Sequence, residues 1–362
     1  MAEKNSILGN SIGEMDLTKL SKQELFVKCE EHGFKNYKSK NKGEMIGMFS
    51  VPAPAAGAGD AGEGDAGEGE GAEIKMTRKM EAKKKREELM AKVDEMDSAE
   101  VVTEAVTLYF GDCIEKMTHI PDDSVDLVLC DLPYGTTKCK WDTIIDLKEL
   151  WAHYKRIVKK PSGVILLFGQ QPFTSMLVSA NYEWFKYNLI WKKNKTTQFL
   201  LANYRPMKCT EDICVFSKGG AAAASKGTGN MTYNPQGLTA THIKKKNSKE
   251  RIGKMLNQEH HLGKNNKLIS NSEYTQNFTN YPNELIEFDI EFDTVHETQK
   301  PVKLIEYLIK TYSNEGEVVL DNTMGSGTTG IGCLNTNRKF IGIEKEDKYF
   351  RLAKYRIMLP LS

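Results

Sequence analysis

Two groups of residues in this 362-residue chain have types and spacings that do chemistry. The first is Asp131-Leu132-Pro133-Tyr134-Gly135, which follows the apolar run Ser124-Val-Asp-Leu-Val-Leu-Cys130 without a break. A carboxylate, a proline-stiffened backbone and an aromatic ring at the carboxyl end of a parallel strand make a binding corner. The chemistry that suits them is specific. The exocyclic amine of adenine is a poor nucleophile because its lone pair is delocalised into the ring. Asp131 and the Leu132 carbonyl can both accept hydrogen bonds from that amine, turning the lone pair toward a methyl donor. Tyr134 can stack on a base that has left its duplex. A strand-end turn with Asp131 as a local cap is the alternative reading.

The second group is Asp321-Asn-Thr-Met-Gly325-Ser-Gly327-Thr328-Thr329-Gly330, between an apolar run and a helix-like stretch. Glycines let a backbone turn tightly against a ligand, and a helix N-terminus offers unpaired amide donors. Fourteen residues past Gly330, Glu344 closes the next strand-like run, where a carboxylate can take both hydroxyls of a ribose. The pattern also satisfies the dinucleotide fingerprint, and a plain strand–helix turn is a third reading. Position argues against a nicotinamide enzyme. Eighteen residues follow Glu344, too few to build a sheet that starts at its nucleotide loop. The other strands must lie upstream, in an order circularly permuted relative to a dehydrogenase.

These corners need strands and helices to hold them. Residues 124–130, 163–168, 187–191, 212–216, 317–321 and 339–344 are short runs rich in aliphatic and aromatic side chains, and read as buried strands. Helical stretches at 147–158 and 302–312 lie between them, so an α/β fold with a mainly parallel sheet is expected. Between 218 and 280 the alternation lapses into a polar stretch with ten Lys or Arg against three Glu, an insertion on the scaffold.

Upstream, Leu17, Leu20, Leu25 and Cys29 share a helical face and residues 45–49 end a second amphipathic stretch, giving a small helical module over 1–50. Residues 51–73 hold six acidic residues and no basic ones among glycine and alanine, the composition of a flexible linker. Residues 75–92 reverse the sign, with eight basic residues against three acidic, and read as a helical spacer that is either solvated or in contact with phosphate. The expected division is therefore 1–50, 51–103 and a catalytic domain at 104–362.

Fifty basic residues against 49 acidic leave a net charge of +1, which excludes a globally basic coat-like protein. Apolar runs such as 164–168 fall far short of the ~20 residues of a membrane helix, and no secretory signal is evident. An intracellular protein without a membrane partner is expected, in the cytoplasm or nucleus of a host cell. Seven cysteines at irregular spacing are no disulfide framework. Cys113 and Cys130 suit a core. Cys209, Cys214 and His260-His261 lack a complementary ligand set, so no metal is expected.

Taken in order, Gly111-Asp112-Cys113, Asp131-Leu-Pro-Tyr134, Thr298-Gln-Lys300-Pro301, the Asp321–Thr329 loop and Phe340-Ile-Gly-Ile-Glu344 resemble the amino-DNA methyltransferases. More narrowly they resemble the β-group of adenine-N6 and cytosine-N4 enzymes, over residues 106–357. The resemblance implies a Rossmann-like, mainly parallel seven-stranded sheet and methyl transfer from S-adenosylmethionine to an extrahelical base. It implies that Asp131, Leu132, Pro133 and Tyr134 form the catalytic turn. Asp321, Gly325, Gly327, Thr328 and Thr329 would wrap the methionine part of the cofactor, Glu344 its ribose and Asp112 its adenine amine, with Thr298, Lys300 and Pro301 completing the pocket. Asp at the first catalytic position is similar to the adenine enzymes, whereas cytosine-N4 enzymes usually carry Ser. Leu132 departs from the family's usual Pro but keeps the carbonyl, and Asn322-Thr323 depart from the usual Pro-Phe. Asp131–Thr137 with Trp141-Asp142 is similar to phage- and virus-type enzymes. The 218–280 stretch, including Lys244, Lys245, Lys246 and Arg251, stands where the family places target recognition. Residues 17–49 resemble a SAP-type module that binds DNA, with a protein-interaction module as the rival. The expected protein is thus a DNA adenine-N6 methyltransferase acting on double-stranded DNA, with a homodimer implied by the β-group. Cytosine-N4 methylation, a catalytically silent DNA-binding homologue and, more distantly, a nicotinamide oxidoreductase are the alternatives.

Overall fold

The computed structural model describes Ser21, Glu24 and Leu25 and residues 68–135, 142–222, 229–246, 273–291 and 299–358. The chain divides into two units, Met1–Gly71 and Ala72–Ser362. In the first, the Ser21 amide donates to Glu24 Oε2 at 2.7 Å and the Glu24 amide to Ser21 Oγ at 3.3 Å. This reciprocal capping box opens a helical turn on which Leu25 is buried. The rest of the expected 17–49 module lies outside the described residues.

The second unit is built on a nine-stranded sheet in the order β1-β2-β11-β10-β3-β4-β6-β5-β9, with β7 and β8 in a separate two-stranded sheet. The central strands β2 (Val106–Phe110), β11 (Lys339–Glu344), β10 (Val318–Asp321), β3 (Leu127–Cys130) and β4 (Val164–Gly169) run parallel. β6 (Lys208–Phe216) joins β4 antiparallel and pairs with β5 (Phe185–Thr197) in a long hairpin. Every residue of β3 and β4 is buried, because helices cover both faces and leave no side for polar residues.

The pleat sorts these strands into two cores. Leu127, Leu129, Leu166 and Phe168 face one cluster, covered by α5 (Val302–Tyr312), α6 (Thr328–Asn335) and α7 (Asp347–Met358). Val128, Cys130, Ile165 and Leu167 face the other, covered by α2 (Cys113–Met117), α3 (Leu147–Ile157) and α4 (Phe173–Ala180). On α3, Leu150, Trp151, Tyr154 and Ile157 repeat at helical spacing and are all buried, and Asp146 caps its start by accepting from the Lys148 and Glu149 amides. Full burial of each such aliphatic side chain contributes about 1.5–3 kcal/mol.

Three expectations change. Among the described residues the sheet has nine strands rather than seven, because β1 (Val101–Val102) pairs with β2 and β9 (Leu285–Glu287) with β5. Elements of two or three residues are too short to show a period. β1 also places the start of the sheet ahead of residue 104. Finally, α1 (Glu68–Asp94) begins inside the expected linker and ends with Val93 buried, as Arg351 donates to the Val93 and Asp94 carbonyls. Helix propagation from the Lys- and Glu-rich segment carries through alanines and glutamates despite the intervening glycines.

Packing under the glycine loop is tight. A Cβ on Gly330 would lie 2.5 Å from Ile357 Cδ1 and 2.8 Å from Phe340 Cε1. Gly330→Ala is therefore expected to lower stability by about 1–3 kcal/mol, measured as a reduced urea midpoint. A midpoint equal to the parent would show that α6 and α7 separate easily.

Candidate active site

From β10 the chain passes outward to β11, and from β3 outward the other way to β4, so a crevice opens where these two neighbours end. The Asp321 and Asp131 turns face each other across it. Thr323 Oγ1 donates to the Asp131 carbonyl at 3.2 Å, tying the two turns together. Behind them, Asn322 Oδ1 accepts from the Tyr154 hydroxyl at 2.6 Å and from Cys130 Sγ at 2.9 Å. The departure from the family's Pro-Phe is thus occupied by a buried polar bridge between strand and helix.

The glycine loop is shaped by backbone that side chains resist. Gly325 and Gly327 have φ of +52° and +78°, and a Cβ on Gly327 would stand 3.0 Å from Ala353. Met324 is pinned to β11 by its amide bond to the Ile343 carbonyl at 3.0 Å. Arg356 Nη1 donates to the Ser326 carbonyl, which fixes the loop's outer side. Asp321 Oδ2 accepts from the Thr329 hydroxyl at 2.6 Å and Oδ1 from the Thr323 amide at 3.1 Å. Glu344 Oε2 accepts from the Gly325 amide and Oε1 from the Glu346 amide, both at 2.9 Å, which leaves lone pairs on each oxygen. Burial pushes the Glu344 carboxyl above its ordinary value, and pushes Asp321 up to about 7.

A cavity of about 200 Å³ joins these parts, lined by Gly111 and Asp112, the Asp131–Tyr134 turn, Lys300, the Asp321–Thr329 loop and Glu344. Asp112 caps α2 through the Ile114 amide at 2.9 Å and presents its outer edge to this space. At one end lies a charged cluster. Lys300 Nζ stands 2.5 Å from Asp131 Oδ2 and 2.9 Å from Glu211 Oε1, over the Phe168 ring. The Tyr134 hydroxyl donates to Asp131 Oδ1 at 2.6 Å and sits 3.1 Å from Glu211 Oε1. Lys193 closes the set, 2.6 Å from Glu211 Oε2. Burial by itself would discharge Lys300, but the Asp131 and Glu211 carboxylates outweigh it and hold the ammonium above its ordinary value.

The sequence-predicted residues largely converge here. Asp131 to Tyr134, Asp321, Gly325, Thr328, Thr329, Glu344, Asp112 and Lys300 all line the cavity, and Gly327 shapes its loop. Lys300 stands against Asp131 at the charged end of the space, not only in its wall. Pro301 starts α5 and lines a neighbouring cleft with Lys192 and Glu291. Lys244 and Lys245 are exposed on β7 (Thr239–Lys246), which pairs with β8 (Glu273–Thr279) inside the insertion; Lys246 is the last residue of β7. Thr298 and Arg251 lie outside the described residues. Asp142, from the Trp141-Asp142 pair, receives the Gly135 amide on Oδ1 at 2.9 Å, whereas Glu211 and Lys193 belong to none of the sequence motifs. Both lie just outside the strand-like runs 187–191 and 212–216, so neither carries a signal in the sequence. Among the described residues no group of three or more His, Cys, Asp or Glu is placed to hold a metal, and no helix is long and apolar enough to cross a membrane.

Comparison with known proteins bears directly on this geometry. The model of the DNA methylase family, covering adenine-N6 and cytosine-N4 enzymes, matches residues 125–355, more than half of the chain. The chain is 26% identical over 282 residues to the type II methyltransferase M.HinfI of Haemophilus influenzae, covering 69% of this chain and 68% of that protein. It is 27% identical over 265 residues to the DNA adenine methyltransferase YhdJ of Escherichia coli K12, covering 70% and 83%. A crystal structure of an M1.HpyAVI–SAM complex is 24% identical with a TM-score of 0.45, covering 69% of this chain and 99% of that one.

The buried Asp321 has a measurable cost. Its carboxyl keeps its proton in the native state up to about pH 7, whereas in the unfolded chain it ionises near 3.8. Stability tied to this group therefore falls as pH rises from about 4 to 7 and stays reduced above. Asp321→Asn is expected to raise Tm of the cofactor-free protein by a few degrees at pH 8, with the gain vanishing toward pH 4. Equal shifts at both pH values in thermal scans would contradict this assignment.

Proposed function

Because the chain belongs to the DNA methylase family of adenine-N6 and cytosine-N4 enzymes, we propose that it methylates the N6 amine of adenine in double-stranded DNA. The cofactor is S-adenosylmethionine, and the residues present fit it. The loop at Gly325 is open, with nothing but its own Thr323 carbonyl within 4 Å of a Cβ position. Glu344 keeps acceptor capacity for hydroxyls at the end of β11, and Asp321 is a buried acid that a cationic amine would ionise. When bound, the cofactor supplies a methyl group activated on a sulfonium.

The observation that carries the reading is Asp131 in the cavity lining, held by two donors. A carboxylate has about four acceptor sites, and Lys300 and Tyr134 take one on each oxygen. The remaining sites and the Leu132 carbonyl accept the two protons of the target amine. Proline at 133 fixes the turn and brings no competing N–H. As the new bond forms, positive charge develops on the amine nitrogen, and Asp131 stabilises it at close range before a proton is lost to solvent. Tyr134 packs at 5.1 Å against Phe173 on one side, so a base stacks on its other face. Aspartate rather than serine at 131 supports adenine over cytosine, as does the similarity to an adenine methyltransferase.

Target contact falls to the insertion, whose Lys244 and Lys245 project from an exposed ribbon. Phe199, Leu200 and Tyr204 at the β5–β6 tip are 79–90% exposed, beyond the same carboxyl ends of the parallel strands as Asp131. The reading further includes a motif order circularly permuted relative to dinucleotide enzymes, an N-terminal SAP-like tether, a homodimer and a phage- or virus-type relationship. Tethering raises the local concentration of the catalytic unit on its target.

Incubation with duplex DNA and methyl-labelled S-adenosylmethionine is expected to place label in N6-methyladenosine; label in N4-methylcytosine would overturn the base assignment. Asp131→Ala should lower transfer by about 10²–10³-fold or more with cofactor Kd nearly unchanged. Glu344→Ala should weaken cofactor binding about tenfold, the loss of charged hydrogen bonds. Replacing both Lys244 and Lys245 by alanine should flatten the dependence of log affinity on log salt by about two phosphate contacts; an unchanged slope would remove the ribbon from the interface.

A further inference from the structure

Glu211 is buried, with 3% of its side chain exposed, and among the described residues it lies outside the cavity lining. It nevertheless contacts both groups that hold Asp131. Its Oε1 is shared by Lys300 Nζ at 2.9 Å and the Tyr134 hydroxyl at 3.1 Å, and each of these has its other partner on a different Asp131 oxygen. Lys193 anchors Oε2 at 2.6 Å, and register on β6 places Glu211 opposite Trp191 of β5, so the carboxylate is fixed at both oxygens on a rigid strand pair.

We propose that Glu211 is a positioning residue for methyl transfer, which, by clamping the Lys300 ammonium and the Tyr134 hydroxyl, sets the single orientation in which Asp131 meets the target amine. The proposal rests on the reading of Asp131 as acceptor for that amine. Burial alone would favour neutral Glu211, but the Lys300 and Lys193 ammonium groups outweigh it and hold its carboxyl well below the usual range. Glu211 therefore stays ionised and is no proton carrier; its role is geometric. A buried ion cluster of this kind adds little net stability over apolar residues of the same volume, and its use is to fix one arrangement. With two ammonium groups and two carboxylates, the cluster is balanced in charge.

The test uses the full chain with Glu211→Leu and Lys193→Met together, which removes one charge of each sign, retains volume and frees Lys300 and Tyr134. Expected is a kcat about 10–100-fold lower, what a small misplacement of a catalytic group costs, with cofactor Kd and DNA KM unchanged. A crystal structure of the variant should show Asp131 turned away from its parent position. Parental kcat, or Asp131 still held by Lys300 and Tyr134 in the parental geometry, would overturn the proposal; so would a loss confined to cofactor affinity. If the double variant does not fold, isosteric Glu211→Gln carries the test, with a smaller fall in kcat expected and an unchanged kcat overturning it. Asp131→Ala separates the two ideas. An active Asp131→Ala refutes the acceptor reading itself, whereas an inactive one beside a fully active Glu211 variant refutes the positioning role alone.

Discussion

The site depends on one reversal in the order of strands. β10 and β3 are parallel neighbours, yet the helices that leave them, α6 and α3, go to opposite faces of the sheet. No backbone can then cross the gap between their carboxyl ends, and both Asp321 and Asp131 are delivered to its rim. The turns that line the cavity are hung from this gap. The glycine loop leans on β11 through Met324, the Asp131 turn leans on the loop through Thr323, and Asn322 braces both from below. Because the strands under them are buried on both faces, these turns have little room to drift.

Around the gap, burial and charge oppose each other in two ways. Asp321 and Glu344 are carboxyls that burial makes reluctant to ionise, receptive to a ligand that brings positive charge or hydroxyl donors. Lys300 and Glu211 are buried too, but each lies against opposite charge and stays ionised. The first arrangement leaves capacity for a ligand, while the second spends its capacity internally and so holds its shape.

Strands at 163–168 and 339–344, helices at 147–158 and 302–312, and the residues lining the cavity were legible in the chain, because buried parallel strands are continuous apolar runs and the turns after them carry Asp, Gly and Pro. Short pairings such as Val101–Leu108 were not, since two residues have no period. β7 and β8 were hidden by composition: Lys244, Lys245 and Thr275 give no apolar alternation, because that ribbon does not face the core. Glu211 was illegible for another reason. A glutamate just ahead of the apolar run Asp212-Ile-Cys-Val-Phe216 looks like a solvated strand end, and its meaning comes from Lys300, 89 positions away. Lys300 itself was legible only as a member of its tetrapeptide, and its partner was visible only in three dimensions.

The separate ribbon of β7 and β8 has a consequence for motion. It forms a sheet of its own, apart from the nine-stranded one, and the register break between Ala240 and Ile243 interrupts even its internal ladder. Its local opening free energy is therefore set by a handful of cross-strand bonds, while unfolding of the central strands must break the whole double core. The ribbon can fray and re-form many times during the lifetime of one intact crevice. Opening of the ribbon and retention of the crevice thus run on different clocks within one polypeptide.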